Sequence, residues 1–174
     1  IIDWFTILLG VVSVITLTIH GSNWIILKTS TDLNRRLKGI IFKLNIALVL
    51  LVIGTAALWQ YVKPFPLNNL IGHAWLWIFP LIAGIGLIGQ FWIKKFKKDG
   101  MGFLFSTLFI LGSFATTVAS LFPNVLPSTN SVNPSLTIYN VAAHEYGLSV
   151  GFNWFVIAFL LVVIYFIIQF RVFK

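Results

Sequence analysis

Apolar residues fall in five long runs, at 4–27, 40–62, 74–93, 101–121 and 147–170, and the polar positions gather between them. A helix crosses the hydrocarbon core of a bilayer in about 20 residues, so each run predicts a transmembrane helix. The links are short except the last, 122–146, which holds Pro123, Pro127 and Pro134 and no lysine or arginine. Proline lacks the backbone donor a helix needs, and irregular backbone cannot face lipid, so this link predicts a structured extramembrane crossing. Composition agrees: with 59% hydrophobic and 9% charged residues, there is too little polar surface to cover a soluble globule. The expected fold class is an all-α membrane protein with 1–174 as a single transmembrane helical domain. The absence of cysteine excludes a disulfide framework, a thiolate metal site and covalent haem attachment. Because the chain opens Ile1-Ile2-Asp3, without methionine or a basic cleavable leader, it reads as a piece of a longer polypeptide.

Charge then orients the runs. Lys28, Arg35, Arg36, Lys38 and Lys43 surround the first turn, Lys94, Lys95, Lys97 and Lys98 lie between the third and fourth runs, and Arg171 and Lys174 follow the fifth. Of the basic residues only Lys63 falls on the opposite side. Cations retained on the cytoplasmic side predict an outer start for the first run and a cytoplasmic C-terminus. Indoles favour the headgroup level, and Trp4, Trp59, Trp75 and Trp77 sit at the outer ends with Trp24 and Trp92 at the inner ones; Trp154 departs from the pattern. The net charge of +8 is therefore placed to meet anionic lipid, at roughly 1 kcal/mol per cation, rather than nucleic acid.

Two motif matches fail on context. Gly84-Ile85-Gly86-Leu87-Ile88-Gly89 has dinucleotide-binding spacing but lies inside an apolar run, where small residues serve close helix packing. His144-Glu145 begins like a zinc-protease motif, yet Leu148 stands where the second histidine belongs. The four acids, Asp3, Asp32, Asp99 and Glu145, lie at helix ends or in links, so no carboxylate relay crosses the bilayer. Possible axial haem ligands are His20, His73, His144 and Met101; His20 could share a level with Met101, and His73 with His144. The competing reading makes them packed or interfacial polar groups. His20, in His20-Gly21-Ser22-Asn23, interrupts its run and must find a partner, either across helices or in a protonatable cavity. Ser106, Thr107, Ser113, Thr116, Thr117 and Ser120 of the fourth run read as packing hydroxyls, with a water-lined path as the alternative.

The crossing also carries a likeness. Phe122-Pro123-Asn124-Val125-Leu126-Pro127-Ser128, followed by Pro134-Ser135-Leu136-Thr137-Ile138-Tyr139-Asn140, resembles the segment before the last helix of cytochrome bd-type quinol oxidase subunit II. His20-Gly21, Lys28-Thr29, Leu33-Asn34-Arg35-Arg36 and the exit Phe170-Arg171-Val172-Phe173 are similar to that family in the same order. Val141-Ala142-Ala143-His144-Glu145-Tyr146-Gly147 departs from the family's small-residue run.

The resemblance implies a four-helix bundle plus a peripheral helix, forming the later part of a larger helical subunit whose acid-bearing earlier helices are absent here. It implies that haem b, haem d and the quinol site belong to the partner, subunit I, in a bacterial cytoplasmic membrane. A small single-helix subunit would be a further neighbour. No catalytic, cofactor-binding or metal residue carries over to this chain. The alternative function is a stand-alone helical transporter or channel, but the intramembrane charge or paired broken helices typical of a midplane site are missing. A structural assembly factor is a third option that the sequence does not separate from the first.

Overall fold

The computed structural model describes residues 3–29, 32–62, 69–95, 100–128 and 135–172. Helix α1 (Trp4–Lys28) starts where Asp3 accepts from the Thr6 amide at 2.7 Å and the Thr6 hydroxyl at 2.8 Å, satisfying a donor that the first turn leaves free. Helix α2 (Asp32–Val62) begins at Asp32 rather than at residue 40, so Arg35, Arg36 and Lys38 lie on its first turns instead of in a loop. Hydropathy detects only the part of a helix inside hydrocarbon. The polar extension stays helical because its backbone bonds do not depend on lipid, and Asp32 suits the positive helix start.

The third run is composite. A 3₁₀ turn (Ala74–Trp77) leads into α3 (Ile78–Gly89), which tightens again to 3₁₀ over Gln90–Lys95. Pro80 falls in the first turn of α3, where its missing N–H has no intrahelical partner to lose. Helix α4 (Gly100–Leu121) follows close to its predicted bounds. The crossing then forms a two-stranded antiparallel ribbon, β1 (Asn124–Leu126) and β2 (Leu136–Thr137), with a register shift between Asn124 and Leu126. Helix α5 (Glu145–Val172) completes, among the described residues, five helices long and apolar enough to cross a membrane.

The chain divides into two compact units, Ile1–Phe122 and Pro123–Lys174. In the first, α1 packs on α2 and α4, and α3 lies along α4. Its core joins Ile19 and Ile26 of α1, Ile41 and Leu48 of α2, Ala83 and Leu87 of α3, and Phe109 of α4. The buried face of α2 is not purely apolar: Asn34, Ile41, Asn45, Leu48 and Thr55 recur at the three-, four- and seven-residue steps that return to one side of a helix. Since lipid is as apolar as leucine, such interfaces depend on close packing and hydrogen bonds more than on hydrophobic burial.

Close approach is greatest between α3 and α4. A Cβ on Gly86 would meet Phe105 O and Phe109 Cα at 2.8 Å, and one on Gly112 would meet Ala83 Cα at 2.9 Å. Gly89 faces the Phe105 ring, with Cγ at 2.6 Å from a Cβ position. Gly84, by contrast, has open space beside it, so the contact uses Gly86 and Gly89 of the glycine motif, joined by Gly112 from α4.

Candidate functional site

The polar groups of the first unit gather at three places. At the first, His20 on α1 reaches α4, with Nδ1 2.9 Å from Ser106 Oγ. The Ser106 hydroxyl also lies 2.9 Å from Phe103 O, so its single proton serves either that carbonyl or His20 Nδ1. Phe103 stacks on the ring at 4.6 Å, and Trp24 leans on Phe103 at 5.2 Å with the Lys28 ammonium over its indole. His20 is thereby oriented by an interhelical hydrogen bond. Four further hydroxyls of α4 return to their own backbone: Thr107 to Phe103 O, Thr116 to Gly112 O, Thr117 to Ser113 O and Ser120 to Thr117 O. That arrangement satisfies them without a neighbouring helix.

The second place is a cleft between α1, α2 and the tightened end of the third span, lined by Asn23, Ile26, Lys38, Ile41, Phe42, Gln90 and Phe91. Asn23 and Gln90 are 2% and 3% exposed. Asn23 Nδ2 and Gln90 Oε1 have no hydrogen-bond partner, and neither amide atom of Asn45, one turn along α2 from Ile41, has one.

The third is the turn chemistry that fixes the helix ends. Thr29 Oγ1 lies 2.6 Å from Asn34 Oδ1 and 2.8 Å from Ile25 O, while Asn34 Nδ2 donates to Thr29 O and, at 3.3 Å, to Ile26 O. Asparagine on the start of α2 thus closes the end of α1. Likewise Asn69, in a short helical turn at 69–72, donates through Nδ2 to Ala119 O, Ser120 O and Phe122 O at 3.2, 3.1 and 2.7 Å. Those carbonyls end α4 and have no partner within the helix.

On α4 His20 meets the Ser106 hydroxyl and the Phe103 ring; Met101 stands in the first turn of that helix. His73 Nδ1 lies 3.1 Å from Asn69 O, to which it can only donate, and belongs to the first unit, whereas His144 belongs to the second. Leu148 N bonds His144 O at 3.1 Å, so the His144-Glu145 pair marks the start of α5. Among the described residues no three metal-donor side chains come together. Lys63, Lys97, Lys98, Asp99 and Lys174 lie outside the described residues. Sequence reasoning passed over Asn45, Asn69 and Gln90, and took Asn34 only as part of the likeness at the first turn. The signal was available for Asn45 and Gln90, which interrupt apolar runs.

A polytopic, all-helical membrane protein is therefore defined by five apolar helices and by polar groups arranged between or at the ends of helices rather than along an aqueous surface. Residues 1–173 match the family model for cytochrome bd terminal oxidase subunit II, and the chain belongs to that family. It is 28% identical to a protein of Haemophilus influenzae named probable cytochrome oxidase subunit 2, over 83% of this chain and 45% of the relative. The chain thus spans less than half the length of the curated relative it matches.

Proposed function

We propose that this chain is the later part of an accessory, haem-free subunit of a membrane quinol:O₂ oxidoreductase, packed against a haem-bearing subunit I in a bacterial cytoplasmic membrane. Family membership across residues 1–173 carries the reading. The polar chemistry supports it: Ser106 holds His20, Asn34 and Asn69 close helix ends, and glycines bring α3 onto α4, all of which serve packing. On this reading haem b, haem d and the quinol site reside in the partner, and the basic turns of this chain face the cytoplasm, opposite the proline-rich crossing.

The test is purification of the tagged full-length subunit from membranes with and without co-expressed partner. Haem should appear in stoichiometric amount only with the partner, together with quinol oxidase activity. A Soret band at one haem per isolated subunit, abolished by His20→Ala or His144→Ala, would reject the haem-free assignment. In the same membranes an impermeant thiol reagent added from outside should label Ser128→Cys and spare Arg36→Cys; the reverse pattern inverts the topology.

A further inference from the structure

The ribbon that opens the second unit is built the opposite way to a hairpin that faces water. Its polar side chains serve its own backbone: the Thr137 amide donates to Asn140 Oδ1 at 2.7 Å, Asn140 Nδ2 to Ser135 O at 3.1 Å and the Ser128 amide to Ser135 Oγ at 2.9 Å. Its apolar side chains are the ones left outside. Leu126 and Leu136, paired across the ribbon, are 62% and 44% exposed, and Val125, Ile138 and Tyr139 are exposed with them. A hairpin of two strands is at best marginally stable alone in water, and an exposed apolar cluster marks a contact. With these backbone groups paired internally, the ribbon can enter a lipid boundary without leaving them unsatisfied.

Chain length decides what lies within reach. Helix α4 has 22 residues, about 33 Å of rise, and so just spans a hydrocarbon core of about 30 Å. Asn124 is the third residue after Leu121, and three residues reach at most about 11 Å. Helix α5 rises about 42 Å over 28 residues, which matches a bilayer of about 40–45 Å with its headgroups. The crossing therefore leaves and re-enters the membrane at headgroup level, and β1 starts within or just above that layer. Charge agrees, because residues 122–144 hold no lysine, arginine, aspartate or glutamate that bulk water must solvate. Tyr139 is of the residue type that settles at the interface.

We propose that this ribbon is a membrane-interface anchor, with Leu126 and Leu136 set into the headgroup–acyl boundary of the leaflet on its side and phospholipid chains as their partner. Thr137 lies eight residues before Glu145, so the anchor also limits how far the start of α5 can shift along the bilayer normal. The anchor depends on the chain crossing a bilayer and not on the oxidase assignment.

The test uses the full-length subunit in its native membrane assembly, with cysteines elsewhere replaced. Nitroxide labels on Leu126→Cys and Leu136→Cys report collisions with oxygen, which concentrates in lipid, and with a nickel chelate, which stays in water. At both positions the ratio of oxygen to chelate collisions should be several-fold above that of the free label in water. Chelate collisions at the free-label rate would put the ribbon in water, and suppressed collisions with both reagents would put it under protein; either result overturns the anchor. Where the labelled chains fail to assemble, Tyr139→p-benzoylphenylalanine gives a second readout. Irradiation should yield subunit adducts with the added mass of phospholipid, and adducts to protein alone, or none, would refute lipid as the partner.

Discussion

At the scale of single residues, the side chains that matter most are amides, and they act on backbone. Asn69 has one NH₂ group set against the carbonyls of Ala119, Ser120 and Phe122, the end of a helix whose last turn otherwise holds unpaired acceptors. Ser120 beside it is fully buried, so water is a poor substitute there. Asn69→Leu keeps the volume and removes the donors. It should destabilise the assembled protein by about 1–3 kcal/mol, read as a lowered thermal midpoint, because acceptors are left unpaired rather than merely exposed. Asn69→Asp should be at least as damaging, since it places carboxylate oxygens against the same carbonyls. An Asn69→Leu midpoint equal to that of the parent would mean the cap contributes nothing.

Among the elements, what was legible in the sequence follows from the solvent. Hydrocarbon demands about 20 apolar residues per crossing, so the five helices announce themselves. Their ends do not: α2 reaches back to Asp32 through residues that are polar yet helical, and hydropathy stops at the lipid boundary. The ribbon was hidden for a related reason, because strands as short as Asn124–Leu126 and Leu136–Thr137 carry too few residues to show alternation. The glycine motif pointed to packing, but not to which glycines pack. Helical phase decides that, and the phase between α3 and α4 is a tertiary fact.

The same phase yields a graded expectation for alanine substitutions. Gly86→Ala and Gly112→Ala drive a methyl into backbone of the opposing helix, which cannot move aside without separating the pair. Each should cost on the order of 1–3 kcal/mol. Gly89→Ala meets the Phe105 ring, which can rotate away, and should cost less. At Gly84 the added methyl enters open space, and the substitution should be neutral or stabilising by up to about 1 kcal/mol through helix propensity. Thermal midpoints of the four variants in one membrane preparation test the order. A Gly84→Ala loss equal to that of Gly86→Ala would contradict the observed helix phase.

At the scale of the whole molecule, the crossing that opens the second unit carries a sequence likeness to its family that has a physical content. The residues that carry the resemblance are those that satisfy the ribbon's backbone. Ile138 N donates to Pro123 O at 3.0 Å, Ser128 N to Ser135 Oγ at 2.9 Å and Thr137 N to Asn140 Oδ1 at 2.7 Å, while Asn140 Nδ2 donates to Ser135 O at 3.1 Å. Pro123 and Pro127 bracket β1 and fix φ on both sides of it, which narrows the states the chain must give up on folding. Replacing both with glycine removes that restriction without deleting a hydrogen-bond acceptor or donor of the ribbon, at a cost of roughly 0.4–1 kcal/mol per site. On the proposed function, with the crossing fixing the start of α5 for assembly into a haem-bearing oxidase, the Pro123→Gly, Pro127→Gly double variant should lower the yield of intact oxidase from membranes. The oxidase that still assembles should keep its haem absorption unchanged, because the loss acts on folding before the partner binds. Normal yield with a shifted haem d band would reverse the argument: the crossing would then act on the haem environment, and its role as a scaffold would be refuted.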